Sequence, residues 1–272
     1  MKAFETGQID LQAFSKEILE YVKKIDETTV WVGLDFTNKK GGLGNKSEPV
    51  YGSRDSLLYR LGSILYHLDE YVSFRTDIET QLKSIGDFML SPFDADRVTT
   101  QYSYRLDDII FNFCSFLDYL GRLIAAAVND GKINDWPGLI KAARPKSQNN
   151  FNKLPISQVL LDIDRKFSGK LYEYRSELIH DKAHTVSYKL IQGTNGRNEI
   201  RPFTPHGFVT KFHELKKLKN SGKEILLDNA VQWTAVNFFE TVLDVLKSLR
   251  DDIESTRTIE KGKEVFKFKF RE

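Results

Sequence analysis

Apolar residues recur at steps of three and four along four long stretches of this chain, and that spacing lines each set up on one face of an α-helix. The first stretch runs from 53 to 85, with Ser53 where an N-cap belongs and Leu57, Leu61, Ile64, Leu68, Tyr71, Ile78 and Leu82 in the stripe. The second runs from 97 to 130 through Val98, Tyr102, Leu106, Ile110, Phe113, Leu117 and Ile124. It stops at Asn129-Asp130-Gly131, where glycine allows a C-cap. The third starts at Pro155 and carries Leu160, Ile163, Phe167, Leu171, Tyr174 and Leu178 toward 183, weakened at Gly169. The fourth covers 224 to 256, and its apolar band is wide enough to face two neighbours.

Shorter signals surround these four. They predict an N-terminal helix near 9 to 26, a separate apolar run Val30-Trp31-Val32-Gly33-Leu34, and strands at 185 to 191 and 264 to 270. Val186, Tyr188 and Leu190 followed by Thr194-Asn195-Gly196 read as a hairpin arm, and the polar run 145 to 153 reads as an internal linker. No internal repeat is visible. The expected fold is mainly α, an up-and-down helical bundle with small β decorations. One domain spans 1 to 272: an N-terminal decoration at 1 to 52, a bundle core at 53 to 257 and a C-terminal strand at 258 to 272.

Composition narrows this picture little. The chain has 272 residues with 40 Lys+Arg against 38 Asp+Glu, so bulk charge does not drive it onto nucleic acid, although a local basic groove remains compatible with it. Cys114 is the single cysteine and lies in the apolar run Ile109 to Leu120, which predicts a buried, inert thiol and a reducing compartment. No stretch reaches the ~18 uninterrupted apolar residues of a membrane span, and Met1-Lys2-Ala3-Phe4-Glu5 lacks an apolar signal core. A soluble, cytoplasmic protein is the expectation.

The candidate chemistry sits in Leu171-Tyr172-Glu173-Tyr174-Arg175-Ser176-Glu177-Leu178-Ile179-His180, where Arg, four residues and His close an amphipathic helix. The same type of spacing occurs twice more. Arg201 and His206 are separated by Pro202 and Pro205, which exclude a helix, and Arg60 and His67 lie mid-helix as a surface or inter-helix contact. An Arg-x4-6-His element on a late helix of an all-helical bundle resembles the HEPN superfamily (higher eukaryotes and prokaryotes nucleotide-binding). Many of its members are metal-independent ribonucleases that act as dimers. The resemblance implies that Arg175 and His180 form the catalytic pair, that single-stranded RNA is the substrate, and that the products carry 2′,3′-cyclic phosphate and 5′-hydroxyl ends. It also implies no cofactor and no metal, and suggests a toxin or defence effector restrained by an antitoxin or regulatory protein. Two positions depart from the family pattern: Ser176 stands where Asn, Asp or His often follows the Arg, and Lys182 stands where some members carry a modifiable Tyr.

Elementary chemistry suits this pair. An imidazole near its ordinary pKa of about 6.5 moves protons at neutral pH, and a guanidinium holds a phosphate bidentately as charge builds on phosphorus. At 100° per residue His180 points 140° from Arg175 and 180° from Leu171, away from the core stripe. Tyr172, Ser176 and Ile179 then form a second, semi-apolar face suited to a twofold mate, although packing of that face on the decorations, with His180 as a helix-end cation, satisfies the same pattern. Ser176 and Glu177 are candidates to orient the histidine or to bind substrate.

Three further features of the sequence bear on its chemistry. His180 and His184 at i and i+4 around Asp181 resemble a metalloprotease His-Glu-x-x-His with a shorter carboxylate, and no third ligand stands at a recognised spacing. Gly41-Gly42-Leu43-Gly44-Asn45-Lys46-Ser47 has Asn45 where a phosphate loop needs glycine, so it reads as a plain loop. Residues 189 to 224 hold eight basic side chains against three acidic, beside Phe203, His206, Phe208 and Phe212. Lys211, Lys216, Lys217 and Lys219 are the RNA-contact candidates there, since cations beside aromatics can track a backbone and stack bases. A second reading of the whole chain stays open: a helical bundle, HEPN-like or not, that binds a protein or a nucleotide and has no catalytic activity.

Overall fold

The computed structural model of this chain describes residues 10–39, 48–85, 92–128, 133–145, 150–180, 185–192, 198–218, 224–255, 257–260 and 263–266. The fold is a mainly α helical bundle with small β decorations. Its helices are α1 (Leu11–Lys39), α2 (Glu48–Ile85), α3 (Pro92–Ala127), α4 (Trp136–Ala143), α5 (Pro155–Ile163), α6 (Gly169–His180), α7 (His206–Lys211) and α8 (Leu227–Ser255). A π-helical turn, Asp164–Ser168, joins α5 directly to α6, and 3-10 turns cover Asn150–Lys153 and His213–Leu218. Four strands, β1 (Ser187–Gln192), β2 (Asn198–Phe203), β3 (Arg257–Glu260) and β4 (Lys263–Phe266), pair into two antiparallel hairpins.

Several expected boundaries move. The N-terminal helix and the apolar run after it are one helix, α1, because the stripe Ile18, Ile25, Thr29, Val32 and Phe36 continues unbroken and is fully buried. Helix α2 starts at Glu48, so Ser53 lies inside it and caps nothing; Val50, buried and one heptad before Leu57, extends the stripe upstream. Segment 1 to 52 is therefore no decoration but supplies core side chains through α1 and Val50. The C-terminal end holds a hairpin where a single strand was expected, and residues 267 to 270 lie outside the described residues. So do the glycine-rich loop at 41 to 47, the stop at 129 to 131 and positions 146 to 149 of the expected linker, of which 150 to 153 is a 3-10 turn.

The chain forms two compact units. The first comprises Met1–Ile18, Ile64–Phe111 and Lys170–Val236; the second comprises Leu19–Ser63, Asn112–Gly169 and Asn237–Glu272. In the first unit, Tyr71, Tyr102, Leu106, Ile110, Tyr174, Phe208, Phe212 and Trp233 fill the interior. One ionic network is buried among them. Arg75, with 3% of its side chain exposed, donates from Nε to Asp228 Oδ2 at 3.1 Å and pairs with Glu79 at 2.7 Å, while the Tyr71 hydroxyl donates to Asp228 Oδ1. Burial alone would lower the Arg75 pKa, but the charge of Asp228, then Tyr102 and Glu79, more than offsets it and raises it. Hairpin β1–β2 pairs Ser187 with Phe203 through to Gln192 with Asn198, and Thr204 N–H reaches the Ile225 carbonyl at 2.9 Å to fasten the strand end.

In the second unit, Phe113 stacks on Phe238 at 4.1 Å, Phe116 and Phe239 pack edge-on against this pair, and Leu120, Leu246 and Leu249 are buried as well. Cys114 is buried, as the sequence predicts. Asp135 caps α4 by accepting from Gly138 N at 2.7 Å. The π-turn has a local cause. Gly169 N–H donates to the Asp164 carbonyl five residues back, and a Cβ at Gly169 would stand 2.7 Å from that oxygen. Trp136 Nε1–H donates to Ser168 Oγ at 3.0 Å, and Ser168 Oγ–H to Asp164 Oδ1 at 3.2 Å, which fixes the turn from outside. Within α3 the stretch Asp94–Ala127 is, among the described residues, the one long and apolar enough by length and composition to cross a membrane; 61% of its most apolar window is buried in this fold.

Candidate functional site

Helix α6 is held by Leu171 and Tyr174, both fully buried in the first unit. Tyr174 lies edge-on to Phe208 at 4.8 Å, Phe208 touches Phe212 at 4.8 Å, and Phe212 reaches Trp233 at 5.6 Å. That aromatic series fixes the rotation of α6 and so determines what its other side presents. Arg175 is half-buried, its guanidinium 5.8 Å from the Phe111 ring of α3 and 5.9 Å from the ring of Tyr172. Among the described residues no partner hydrogen-bonds its buried Nε. His180, the last residue of α6, is exposed, as is Ile179 at 53%.

The direction of α6 follows from two anchors. Arg175 meets α3 at Phe111, and after α6 ends the N–H of Val186 donates to Ser103 Oγ at 3.0 Å. The chain therefore runs antiparallel to α3. His180 lies five residues and about 7.5 Å beyond Arg175 along α6. On α3, Tyr104 is 63% exposed. Arg175 and His180 leave the same helix about 140° apart, as the helical wheel requires.

The supporting residues separate. Ser176 is exposed, whereas Glu177 is paired: Lys211 of α7 sits 2.6 Å from Glu177 and 3.4 Å from Glu173. The hydrogen bond to Glu177 comes first among the causes that raise the Lys211 pKa, so the ammonium stays charged but its charge is spent on α6. This corrects the reading of Lys211 as a cation open to RNA. Lys216 and Lys217 are exposed on the 3-10 turn, and Lys219 lies outside the described residues. Phe203, Phe208 and Phe212 are buried, so they stack on the core and offer no face to bases; only His206 of that set is exposed. Lys189 pairs with Glu224, which neutralises another member of the basic run.

One residue that periodicity gave no reason to single out stands out here. Burial, with Asp108 beside it, pushes Asp107 of α3 up to about 6, and its buried Oδ1 has no hydrogen-bond partner among the described residues. Asp107 and Glu177 in turn add to the burial that raises the Tyr174 pKa. The sequence signal was the adjacent Asp107-Asp108 pair inside an apolar helix. Of the metal reading, His184 and Asp181 lie outside the described residues, and among the described ones no group of three or more His, Cys, Asp or Glu gathers to hold an ion. Arg60 lies 5.2 Å from the Tyr119 ring, an inter-helix contact, and Arg201 and His206 fall in β2 and α7 with no helix joining them. No family model matches this chain, and no curated protein and no solved structure matches it either.

Proposed function

We propose that this chain is a metal-independent endoribonuclease of the HEPN type, working in the cytoplasm as a homodimer on single-stranded RNA. The observation that carries the reading is the state of Arg175: a guanidinium braced against Phe111 and Tyr172, with no ion-pair partner among the described residues, on the helix that ends in an exposed His180. A charge left unneutralised in a half-buried position suits an anion that arrives from outside. In the reaction the 2′-oxygen attacks the adjacent phosphorus and the bond to the 5′-oxygen breaks. His180 exchanges the protons that leave the 2′-hydroxyl and reach the departing oxygen, and Arg175 holds the phosphate as negative charge grows on it. Because the two side chains diverge from one helix, a twofold mate would bring two Arg-His pairs into one cleft, with Ile179 and Tyr172 at the contact. A toxin or defence role, restrained by an antitoxin or regulatory protein, fits such an activity.

The test incubates mixed-sequence single-stranded RNA in EDTA with wild type, Arg175→Ala and His180→Ala purified identically, followed by end-group analysis. Cyclic-phosphate ends made by wild type and lost in both variants support the proposal. Equal cleavage by all three points to a contaminant, and no cleavage by folded wild type favours the alternative of a non-catalytic module that binds a protein or a nucleotide.

A further inference from the structure

Beyond the Arg-His helix, the first unit holds a cavity of about 500 Å³, within the range of small-ligand sites. Its walls come from the start of α3, through Asp96 and Thr100, and from the segment leading into β1, through Thr185, Ser187 and Tyr188. Its polar groups are the hydroxyls of Thr100, Thr185, Ser187 and Tyr188 and the Asp96 carboxylate, set among apolar surface, and Asp96, Thr100, Thr185 and Ser187 are exposed to an incoming ligand. An anion is disfavoured by Asp96. A neutral, flat group with adjacent N–H donors is favoured, because a carboxylate accepts two parallel hydrogen bonds from such an edge while an aromatic ring covers the face.

Position strengthens the case. Asp96, Thr100, Tyr104, Asp108 and Phe111 recur at steps of four and three, so they share one side of α3. That side leads from the cavity, past exposed Tyr104, to the ring on which Arg175 rests. The distance from Thr100 to Phe111 is about 16 Å along the axis. A strand whose phosphate sits at Arg175 can thus lay a neighbouring base on Tyr104 and place another in the cavity.

We infer that this cavity is a guanine-binding subsite, in which the Asp96 carboxylate accepts the N1–H and N2–H of the base and Tyr188 packs against it. In the setting of a nuclease, which rests on the function proposed above, it would select RNA carrying guanine a short distance from the cut. Adenine presents no such pair of adjacent donors, and inosine lacks the N2 amine.

Binding separates this inference from the catalytic one. Titrate guanosine, inosine and adenosine into wild type, Asp96→Asn and His180→Ala by calorimetry. The expected result is guanosine bound about tenfold more tightly than adenosine, with inosine between, a preference lost in Asp96→Asn and kept in His180→Ala. Equal affinity for guanosine and adenosine, no binding of either, or a guanosine preference indifferent to Asp96→Asn would overturn the subsite. If binding behaves as expected but wild type cleaves no RNA, the subsite stands and the nuclease reading falls. If His180-dependent cleavage is found without guanosine binding, the reverse holds.

Discussion

Replacing Arg75 with methionine isolates the buried ionic network of the first unit. The substitution keeps most of the side-chain volume, so little of its effect comes from a cavity. It leaves the Asp228 carboxylate, with 11% of its side chain exposed, without its cation. Removing one member of a buried pair costs about 3–5 kcal/mol because the remaining charge is not repaid by water. Two features pull this case to the lower end: the Tyr71 hydroxyl still donates to Asp228, and Asp228 lies in the first turn of α8, where the helix dipole favours an anion by up to ~1 kcal/mol. The expected loss is about 3 kcal/mol, or a drop of roughly 6–12 °C in Tm for a chain of this size. Urea denaturation at pH 7 of wild type, Arg75→Met, Asp228→Asn and the double variant gives the loss and the coupling together. The double variant should recover part of the single losses, since neither charge then remains buried alone. A loss below ~1 kcal/mol in Arg75→Met with no coupling to Asp228 would refute the reasoning.

Three other outcomes follow from local geometry. The folded Asp107 holds its proton up to about 6, above the ordinary ~3.9 of an unfolded Asp, so stability falls as pH rises from about 4 to about 6; Asp107→Asn should flatten that fall in urea midpoints measured across the window. Gly169→Ala should destabilise by about 1–3 kcal/mol in the same assay, because its Cβ meets the Asp164 carbonyl at 2.7 Å, whereas an ordinary helix would gain up to ~1 kcal/mol from that change. Lys211→Met should cost no more than ~1 kcal/mol, since its pairs with Glu177 and Glu173 are partly exposed, and high salt should shrink the difference.

The long stripes were legible because burial dictates them: Leu57 to Leu82, Val98 to Ile124 and Leu160 to Tyr174 all lie on buried faces. The start at Pro155 was legible too, whereas the start at Ser53 was not, because a cap depends on where packing begins. Val50 is buried upstream of Ser53, and packing outweighed the local preference of a serine. The expected N-terminal helix ends near 26, just ahead of Thr28-Thr29-Val30. Instead the Thr28 hydroxyl donates to the Lys24 carbonyl at 2.6 Å and Thr29 is buried, so the helix continues. In the site, the outward direction of His180 followed from arithmetic on one helix. Asp107, the cavity at Asp96 and the pairing of Lys211 did not, because each depends on which side chains other elements bring opposite, and no single-helix period carries that. Phe203 and Phe208 were misread for the same reason, since in elements of six residues periodicity is too short to tell an inward ring from an outward one, and Phe212, just past the end of α7, has no period of its own.

The two rings beside Arg175 have a kinetic and entropic consequence. An arginine free in solvent samples many rotamers and gives up about 2 kcal/mol of that freedom when a ligand fixes it. Here Phe111 and Tyr172 flank the guanidinium in the folded protein, so part of that cost falls on the folding reaction and not on the arrival of an anion. A lysine at the same position would carry the same charge but stack less well on either ring. It would have to be ordered anew by each ligand. What the rings supply at this position is thus a guanidinium already waiting in place, which charge alone does not provide.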